Sequence, residues 1–365
     1  MQNKDLIEIL ADVTQNNQQI LRIMKGTNKI WPSNSNYIVQ IGIEGVTCSA
    51  SSSSVAAHSS VSETITPKTN HVVISVSITM GGEDITSTAY DDTDNSITIS
   101  DVTGDVIIAV VAKEIIVFED ANVKAICVEN WGGNVVEDEI TVEEAAAVTT
   151  LDGKFYNNKD IIKFNELRYF TGLTSLGYKT VSGYAQGQLY GCTLLEEVTI
   201  PVANIGNFNG AFRECPALKE IDITPTTATQ LYCSSFAQLG QAKTALKKIK
   251  IPGGSYMTNI VSFVNRRYGL TTIEIDGVAD WSNISNYTSA FYYCNALTTI
   301  TGTITGINAG ISFSNSPLTR ESALVILNGL APRETNGNVT FSTTTKNLLT
   351  DEDRAIATNK GWTIV

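Results

Sequence analysis

Histidine is the scarcest residue type in this 365-residue sequence, and its two examples, His58 and His71, both lie in the first fifth. Histidine activates the nucleophile in most serine and cysteine hydrolases and is a ligand in most catalytic zinc sites. The acidic residues form no arrangement with a nucleophile, a base and an orienting group, and no glycine-rich phosphate loop follows a strand. We therefore expect a protein that is not an enzyme and that holds no metal and no cofactor.

Long hydrophobic runs and an excess of positive charge are also missing. No stretch approaches the roughly 18 consecutive apolar residues of a membrane span, so we expect no membrane insertion. The formal net charge is −12, which disfavours binding to nucleic-acid phosphates. Hydrophobic residues make up 42% of the chain, which is enough for packed cores and excludes a wholly disordered protein.

The first residues lack the pattern of a secretion signal. Such a signal needs basic residues followed by an apolar run. Here Asp5, Glu8 and Asp12 interrupt any such run. We therefore expect a protein that is made in a cytoplasm and leaves it only by lysis or inside a larger particle.

Residues 5–24 have the spacing of a coiled-coil helix. One asparagine and several apolar residues recur at alternating intervals of four and three: Leu6, Leu10, Val13, Asn17, Ile20 and Met24. The pattern predicts that residues 1–32 form an oligomerisation or anchoring helix, in a dimer or trimer whose register the buried asparagine fixes. An amphipathic helix packed on its own chain is the alternative, because fewer than three heptads are short for an autonomous coiled coil.

Residues 37–113 alternate between apolar and polar side chains in the manner of β-strands. One predicted strand places five apolar residues on a single face: Val72, Ile74, Val76, Ile78 and Met80. Ile97 and Ile99 repeat the alternation, and residues 106–111 form a nearly continuous apolar strand. Short strands separated by turn signals predict a small β-sandwich.

Two stretches of this segment resemble a particular immunoglobulin-like module. They read Ser-Ile-Thr-Met-Gly-Gly-Glu-Asp-Ile-Thr-Ser-Thr-Ala-Tyr at residues 77–90 and Ile-Thr-Ile-Ser-Asp-Val-Thr-Gly-Asp-Val-Ile-Ile at residues 97–108. Such modules are appended to tail, baseplate and other virion proteins of phages that infect gut bacteria. The resemblance implies a spacer or a weak binder of carbohydrates and surfaces.

Residues 114–165 are predicted to be a connector and N-terminal cap with two short helices. The loop 133–144 between them has the length of an EF-hand loop and ends in Glu144. Its first and third positions are Gly133 and Val135, which carry no carboxylate, and Asp138 replaces the required glycine. We therefore expect a helix–loop–helix cap without calcium.

A leucine-rich repeat is visible across residues 166–320. The recurring pattern is Leu-x-x-Ile-x-Ile, and its leucines stand at positions 173, 195, 218, 246, 270, 297 and 318. This spacing puts alternate apolar side chains into the core of a solenoid and leaves the polar ones on short parallel strands. One coil cannot bury its own core, so the coils must stack.

The repeats resemble the BspA-like leucine-rich-repeat family. Its signature, Ala-Phe-x-x-Cys-x-x-Leu-x-x-Ile, stands complete at residues 211–221 and 290–300. The resemblance is weakest at 230–246 and 252–269, where the cysteine position is lost and Lys243 and Arg267 intrude. Irregular coils are expected there.

Three of the six cysteines, Cys192, Cys215 and Cys294, share one repeat position, which is typical of a small buried apolar group. We therefore expect reduced thiols and no structural disulfide. Residues 321–365 are predicted to be a C-terminal cap, with a helix that starts at Thr350 and a last strand at 361–365. They resemble the terminal segment found on such repeats in phage and Bacteroidetes proteins.

The predicted fold class is mixed β and α/β: a short coiled-coil helix, an immunoglobulin-like β-sandwich and a leucine-rich-repeat solenoid with helical caps. The resemblances favour a phage virion protein, such as a fibre or decoration protein, assembled in the host cytoplasm and exposed on the particle surface. The helix would bind other virion proteins, and the repeats would face a host surface or glycan. A bacterial cell-surface adhesin of the leucine-rich-repeat type is the alternative.

Exposed aromatic residues in or beside the irregular coils are the predicted ligand contacts. Tyrosine is favoured at recognition surfaces because it brings a large contact area and few rotatable bonds. The predicted contacts are Tyr256, Tyr268, Tyr287, Tyr292 and Tyr293.

Overall fold

The computed structural model describes residues 36–49, 53–177, 179–181, 184–227, 236, 245–255 and 257–365. The predicted coiled-coil seam, from Leu6 to Met24, lies outside the described residues. The chain divides into two compact units. The first unit extends to Ile116 and includes Gly133–Val142, and the second comprises Val117–Gly132 and Glu143–Val365.

The described residues of the first unit form two β-sheets and one short helix, α1 (Thr86–Ala89). Its strands are β1 (Asn36–Glu44), β2 (Val46–Cys48), β3 (Ser53–Ala56), β4 (Val61–Pro67), β5 (His71–Met80), β6 (Glu83–Asp84), β7 (Tyr90–Asp91), β8 (Ser96–Ile99) and β9 (Val106–Glu114). One sheet has the order β3-β1-β9-β5-β6, in which β1 runs parallel to β9. The other has the order β2-β4-β8-β7 and is antiparallel.

Both sheets bury apolar side chains in one shared core. Strand β9 contributes Ile108 and Val110 from the first sheet, and β8 contributes Ile97 and Ile99 from the second. Two sheets that share a core in this way form a two-layer β structure. The β-rich character predicted for residues 37–113 is confirmed, and the immunoglobulin-like identity stays a prediction.

A β-bulge in β5 changes the predicted face of that strand. The register with β9 shifts between Val73 and Ser75, so the side chains before and after the bulge do not follow one alternation. Val73 packs against the core together with Val76, whereas Val72 and Ile74 do not belong to the core cluster. The prediction of a single apolar face is therefore wrong for Val72 and Ile74.

The predicted connector at 114–165 is divided between the two units. The loop Gly133–Val142 belongs to the first unit, where the Ile116 N–H donates to the Ile140 carbonyl at 2.9 Å and Ile115 pairs with Thr141. In the part of the chain that the structure describes, no three His, Cys, Asp or Glu side chains come together as a metal site.

The second unit begins with helix α2 (Ala121–Trp131), followed by α3 (Val142–Ala146) and the 3-10 helix Asn165–Tyr169. Near its end lie α4 (Arg320–Gly329), α5 (Thr343–Lys346) and α6 (Asp351–Thr358). None of the described helices is long and apolar enough to cross a membrane.

Asp120 anchors helix α2 to the start of the repeats. Its Oδ1 accepts the N–H groups of Asn122 and Val123, which caps the helix. Its Oδ2 accepts the N–H of Ile162 at 2.7 Å and that of Lys163 at 3.3 Å. Burial raises the pKa of Asp120, but the four backbone donors outweigh it and hold the pKa below its ordinary value.

The strands of the second unit are short and mostly parallel. They are β10 (Lys163–Phe164), β11 (Lys179–Val181), β12 (Tyr184–Gln186), β13 (Glu197–Val198), β14 (Glu220–Asp222), β15 (Lys248–Gly254), β16 (Thr272–Asp280), β17 (Thr299–Thr305), β18 (Ile311–Phe313), β19 (Gly337–Phe341) and β20 (Trp362–Ile364). Strands β11 and β12 form an antiparallel hairpin, and the other sheets are β10-β13, β14-β15-β16-β17 and β18-β19-β20.

The isoleucines of the repeat pattern are aligned across the parallel strands. Ile221, Ile249, Ile273 and Ile300 are partners in successive strands, and all four are buried. Each coil of the chain thus contributes one strand, and stacking buries the apolar face that a single coil would leave exposed. The predicted register of the repeat is confirmed at these positions.

A row of phenylalanines in stacked and edge-to-face contact fills the core behind the strands. Neighbouring ring centroids are 4.5 to 6.4 Å apart along the row Phe212, Phe236, Phe263, Phe291, Phe313 and Phe341. Aromatic pairs at such distances contribute about 0.5–1.5 kcal/mol each beyond their buried area.

The three repeat cysteines bind the preceding coil. The Sγ atoms of Cys192, Cys215 and Cys294 donate to the carbonyls of Phe155, Leu189 and Val264 at 3.1, 3.1 and 3.2 Å. All three are buried thiols, and burial raises the pKa of Cys215 and of Cys294 to about 12. The predicted burial of this position is confirmed. We call it the cysteine position of each coil.

Arg267 occupies the cysteine position of its own coil. It is fully buried, its Nε donates to the Phe236 carbonyl, and its Nη2 donates to the Phe212 carbonyl at 3.1 Å. Burial lowers the pKa of Arg267 to about 10. The expectation that Arg267 makes its coil irregular is wrong, because the guanidinium makes the hydrogen bond of the cysteine thiol and reaches one coil further.

The last helix starts where the sequence predicts. Thr350 caps α6 with a capping box, in which the Thr350 Oγ1 accepts the Asp353 N–H and the Asp353 carboxylate accepts the Thr350 N–H. Arg320 of α4 donates twice to the same carboxylate, at 2.7 Å each. The predicted final strand is present as β20, and the capping role of this segment stays a prediction.

Candidate functional site

A tight turn precedes the cysteine position in five described coils of the solenoid. The residue immediately before it has a positive φ in five coils: Asn157 (55°), Gly191 (73°), Glu214 (59°), Arg266 (61°) and Tyr293 (56°). Side chains other than glycine adopt this conformation at a cost of roughly 1–2 kcal/mol. The turns therefore form a defined and partly strained edge, which we call the turn edge.

A ladder of backbone hydrogen bonds holds neighbouring turns together. The N–H of the positive-φ residue donates to the next coil, from Asn157 to the Tyr190 carbonyl at 2.7 Å and from Gly191 to the Arg213 carbonyl at 3.0 Å. The Arg266 N–H donates in the same way to the Tyr292 carbonyl at 2.7 Å. The residues just before the positive-φ position consequently stand in one row along the turn edge.

This row begins with an aromatic and arginine cluster. The rings of Tyr156 and Tyr190 are stacked, with centroids 5.5 Å apart and planes 17° from parallel. The Arg213 Cζ lies 5.9 Å from the centroid of the Tyr190 ring. We call these three residues the first cluster.

Tyrosines gather again further along the turn edge. The ring centroids of Tyr292 and Tyr293 are 4.1 Å apart, and those of Tyr268 and Tyr293 are 6.0 Å apart. Tyr292 is 41% exposed. A hydrogen bond with the Tyr293 side chain raises the pKa of Tyr292. We call Tyr268, Tyr292 and Tyr293 the second cluster.

The structure brings three of the five predicted ligand contacts together. Tyr268, Tyr292 and Tyr293 form the second cluster, and Tyr256 lies outside the described residues. Tyr287 is 4% exposed, packs against Trp281 with ring centroids 6.0 Å apart, and donates to the Trp281 carbonyl at 3.3 Å. Burial raises its pKa. The expectation that Tyr287 is an exposed contact is wrong, because its ring fills the core below the turn.

Sequence reasoning missed the first cluster. The predicted contacts were confined to the coils that were expected to be irregular and their neighbours. Tyr156, Tyr190 and Arg213 lie outside the coils that were expected to be irregular. One signal was present: Tyr190, Arg213 and Tyr292 all stand two residues before a repeat cysteine. Aligning that position across the coils would have shown the row.

Charged groups are distributed unevenly over the second unit. On the outward side of the strands, lysines and acids pair across neighbouring coils, as in Lys163–Glu197 at 3.3 Å, Lys248–Glu274 at 2.8 Å and Lys250–Asp222 at 3.1 Å. We call this surface the sheet face. On the turn edge, no described carboxylate forms an ion pair with Arg213 or Arg266.

A shallow groove of about 330 Å³ lies elsewhere on the second unit, lined by Thr171, Val202, Ala203, Asn204 and residues 224–227. Its lining has no titratable side chain. The hydroxyls of Thr224 and Thr226 are engaged within their own coil, with Asp222 at 2.6 Å and the Ile223 carbonyl at 2.7 Å. The groove therefore offers no acid, base or nucleophile with an activating partner, and the turn edge is the stronger candidate site.

The repeats match a known family. Residues 165–298 and 209–322 match the family described as BspA type leucine rich repeat region, in six copies. The repeat region of this chain is therefore a leucine-rich-repeat region of the BspA type, as the sequence predicts. No curated protein matches the sequence.

Among solved structures, the crystal structure of a leucine-rich repeat protein from Bacteroides ovatus ATCC 8483 matches at 15% sequence identity. The match covers 48% of this chain and 57% of that chain, with a TM-score of 0.16. This chain thus spans little more than half of that protein, and a TM-score this low supports no statement about shared architecture or function.

Proposed function

We propose that this chain is a non-enzymatic binding protein that attaches a larger assembly to a carbohydrate-bearing surface through the turn edge of its repeats. The observation that carries the proposal is the pair of tyrosine clusters at equivalent turns of the solenoid. Each cluster combines ring faces with phenol groups, and one ring, that of Tyr292, is 41% exposed.

Saccharides fit such a surface for physical reasons. Sugar rings present apolar C–H faces together with hydroxyls, and tyrosine offers a matching apolar ring and a polar tip. The turns that carry the tyrosines are fixed by backbone hydrogen bonds between coils, so little conformational entropy is lost on binding. Contacts of this kind are weak one by one and become useful when several copies act together, with avidity gains of about 10²–10⁴.

The setting that we propose is the surface of a phage particle. The stretches 77–90 and 97–108 support it through their resemblance to modules of virion proteins. In this arrangement the helix predicted for residues 5–24 associates copies or docks on other virion proteins, the first unit is a spacer, and the repeats point outward.

A bacterial cell-surface adhesin is the second candidate. The BspA type of the repeats favours it, because repeats of this type are typically associated with surfaces and adhesion. The binding role of the turn edge is the same in both settings, and only the attachment of the chain differs.

A glycan array with the full chain tests the binding role. Tyr292→Ala should weaken binding to the recognised glycans at least tenfold, because it removes the exposed ring of the second cluster. Tyr169→Ala is the matched control, since Tyr169 also pairs with an arginine, Arg168 at 4.8 Å, but lies in the 3-10 helix away from the turn edge. Absence of glycan binding, or equal losses in the two variants, contradicts the proposal.

Two further measurements separate the settings. Antibodies against residues 165–322 should label purified phage particles if the chain is a virion protein, and intact bacteria if it is an adhesin. Light scattering should give a dimer or trimer for the full chain and a smaller mass for a chain that starts at Trp31. Equal monomeric masses would rule out the predicted coiled coil.

A further inference from the structure

Among the described residues, Arg213 and Arg266 of the turn edge have no acidic partner, in contrast to the paired lysines of the sheet face. The Arg213 guanidinium lies over the Tyr190 ring, and its Nε is buried without a hydrogen-bond acceptor. Other half-buried cations without an ion pair in the described part of the chain donate to backbone carbonyls instead, as Arg354 does to the Lys346 carbonyl and Lys360 to the Asn328 carbonyl. The described residues offer no such acceptor to the Arg213 Nε, and a buried donor without an acceptor is costly.

Arg266 repeats this situation beside the second cluster. Its backbone N–H donates to the Tyr292 carbonyl at 2.7 Å, and its positive charge lowers the pKa of Tyr292 against the dominant effect of the Tyr293 hydrogen bond. Arg266 is half-buried and, like Arg213, forms no ion pair with any acid in the described part of the chain.

The two arginines stand at comparable places in the solenoid. Arg213 comes two residues before the cysteine position of its coil, and Arg266 comes one residue before it. The coil that holds Phe236 lies between them, since the Phe236 ring stacks with Phe212 on one side and meets Phe263 edge to face on the other. With a strand spacing of ~4.8 Å, two coils correspond to roughly 10 Å along the solenoid.

From these observations we propose that the turn edge selects acidic saccharides, and that Arg213 and Arg266 bind their carboxylates. The planar guanidinium matches a carboxylate with two parallel hydrogen bonds, and a neighbouring ring supports the sugar at the same time. An oligosaccharide with more than one uronic or sialic acid reaches both arginines. The inference rests on the proposed function, because it names the class of glycan bound at the same site.

The ion pairs of the sheet face explain why we expect the turn-edge arginines, and not the sheet-face lysines, to bind a carboxylate. Lys248 lies 2.8 Å from Glu274, and Lys250 lies 3.1 Å from Asp222, so an incoming carboxylate would have to displace an acid already in place. Arg213 and Arg266 require no such displacement. The negative net charge of the chain repels anionic ligands in general. An arginine without an ion pair attracts a carboxylate locally, so acidic saccharides would bind beside such arginines and not elsewhere on the chain.

Pairs of matched ligands test the inference on the full chain. Oligogalacturonate and sialylated oligosaccharides are each compared with their methyl-esterified forms, which keep the sugar and lose the charge. The wild-type chain should bind the acid forms at least tenfold more tightly than the esters, and added salt should reduce that preference. A sulfated oligosaccharide distinguishes carboxylate recognition from attraction to any anion, and we expect it to bind less tightly than the carboxylates.

Substitutions assign the preference to the two arginines. Arg213→Gln and Arg266→Gln should each weaken binding of the acid forms and reduce the preference for acid over ester several-fold. Arg168→Gln is the matched control, because Arg168 lies 4.8 Å from the Tyr169 ring away from the turn edge and should change neither. Far-ultraviolet circular dichroism of each variant checks that the repeats remain folded.

The possible failures are distinguishable. If Tyr292-dependent binding shows no preference for acid over ester, the inference is overturned and the proposed function stands. If none of the saccharides binds, both are overturned. If the sulfated probe binds as tightly as the carboxylates, or Arg168→Gln has the same effect as the turn-edge variants, the assignment to carboxylate recognition by Arg213 and Arg266 is overturned.

Discussion

The sheet face and the turn edge are two surfaces of the same repeat with opposite electrostatics. On the sheet face several strands place a lysine beside an acid of a neighbouring coil, as at Lys248–Glu274 at 2.8 Å and Lys163–Glu197 at 3.3 Å. On the turn edge, tyrosines pack on one another, and Arg213 lies over a ring. The comparison teaches that the sheet-face charges neutralise one another across coils, whereas Arg213 and Arg266 have no ion pair in the described part of the chain.

The two surfaces also differ in how their geometry is fixed. Strand register places side chains of neighbouring coils opposite one another, so opposite charges there stabilise the stack slightly and like charges would destabilise it. At the turn edge the backbone ladder fixes the turns whatever their side chains are. Side chains there can vary without affecting the fold, which suits a recognition surface.

Arg267→Ala should have the largest effect on stability. It should disturb the sheet face and the turn edge alike, because both surfaces depend on the same core. The variant leaves the carbonyls of Phe212 and Phe236 without their donor and opens a cavity, so we expect a loss of about 3–5 kcal/mol in the free energy of unfolding. Urea unfolding of the full chain measures it. The exposed Arg168→Ala should cost less than about 0.5 kcal/mol. Equal losses in the two variants would contradict the role given to Arg267.

Cys215→Ala should have a smaller effect in the same core. It removes the Sγ donor to the Leu189 carbonyl and a buried sulfur, for an expected loss of about 1–2 kcal/mol. Cys48→Ala, in the first unit, should leave the unfolding of the repeats unchanged. Thiol titration after non-reducing denaturation should find all six cysteines, and a lower number would reveal a disulfide.

Lys248→Gln tests whether the ion pairs of the sheet face contribute to stability or to glycan binding. Half-exposed ion pairs contribute little, so we expect a loss below about 1 kcal/mol that high salt reduces further, and no change in glycan binding. Tyr292→Ala should show the reverse, with near-normal stability and impaired binding. A loss of binding in Lys248→Gln would place the ligand on the sheet face instead.

The smallest expected effect concerns acid sensitivity on the sheet face. Burial raises the pKa of Asp222, but the Thr224 hydroxyl and N–H and the Lys250 ammonium outweigh it and hold the pKa below the ordinary 3.8. The folded-state pKa is thus below the unfolded one, so the stabilisation is complete above pH 3.8 and is lost as the pH falls through the folded-state pKa. Urea midpoints measured down through this range should fall less steeply for Asp222→Asn than for wild type. If the urea midpoints of the two proteins fall equally steeply with pH, Asp222 does not contribute to the acid sensitivity.

The core of the repeats could be predicted because its chemistry repeats. The leucines, the isoleucines and Cys192, Cys215 and Cys294 recur with the period of the coil, and the structure buries them. The alignment fails only at Leu173, because Phe164 is the strand partner of Val198 and Ile161 therefore takes the place opposite Leu195. Arg267 could not be predicted in the same way. An arginine normally avoids a core, and only the position of the Phe212 and Phe236 carbonyls explains its burial.

The candidate site was harder to predict because its residue types differ from coil to coil, although their position two residues before the repeat cysteine recurs. Tyr268, Tyr292 and Tyr293 were found as aromatic residues near irregular coils, but the same reasoning included the buried Tyr287. Exposure of a ring depends on the direction of its turn, which composition does not encode. In the first unit, the bulge in β5 reversed the expected face of Val72 and Ile74 for a similar reason, since one extra residue in a strand leaves no mark in its composition.

Hydrogen exchange of the full chain, with and without the tightest-binding glycan of the array, tests the central claim most directly. The account predicts that the ligand slows exchange in turn-edge peptides that contain Tyr190, Arg213, Arg266 and Tyr292, and that exchange in β15, β16 and β17 is unchanged. Protection confined to those strands, with the turn-edge peptides unaffected, would contradict it.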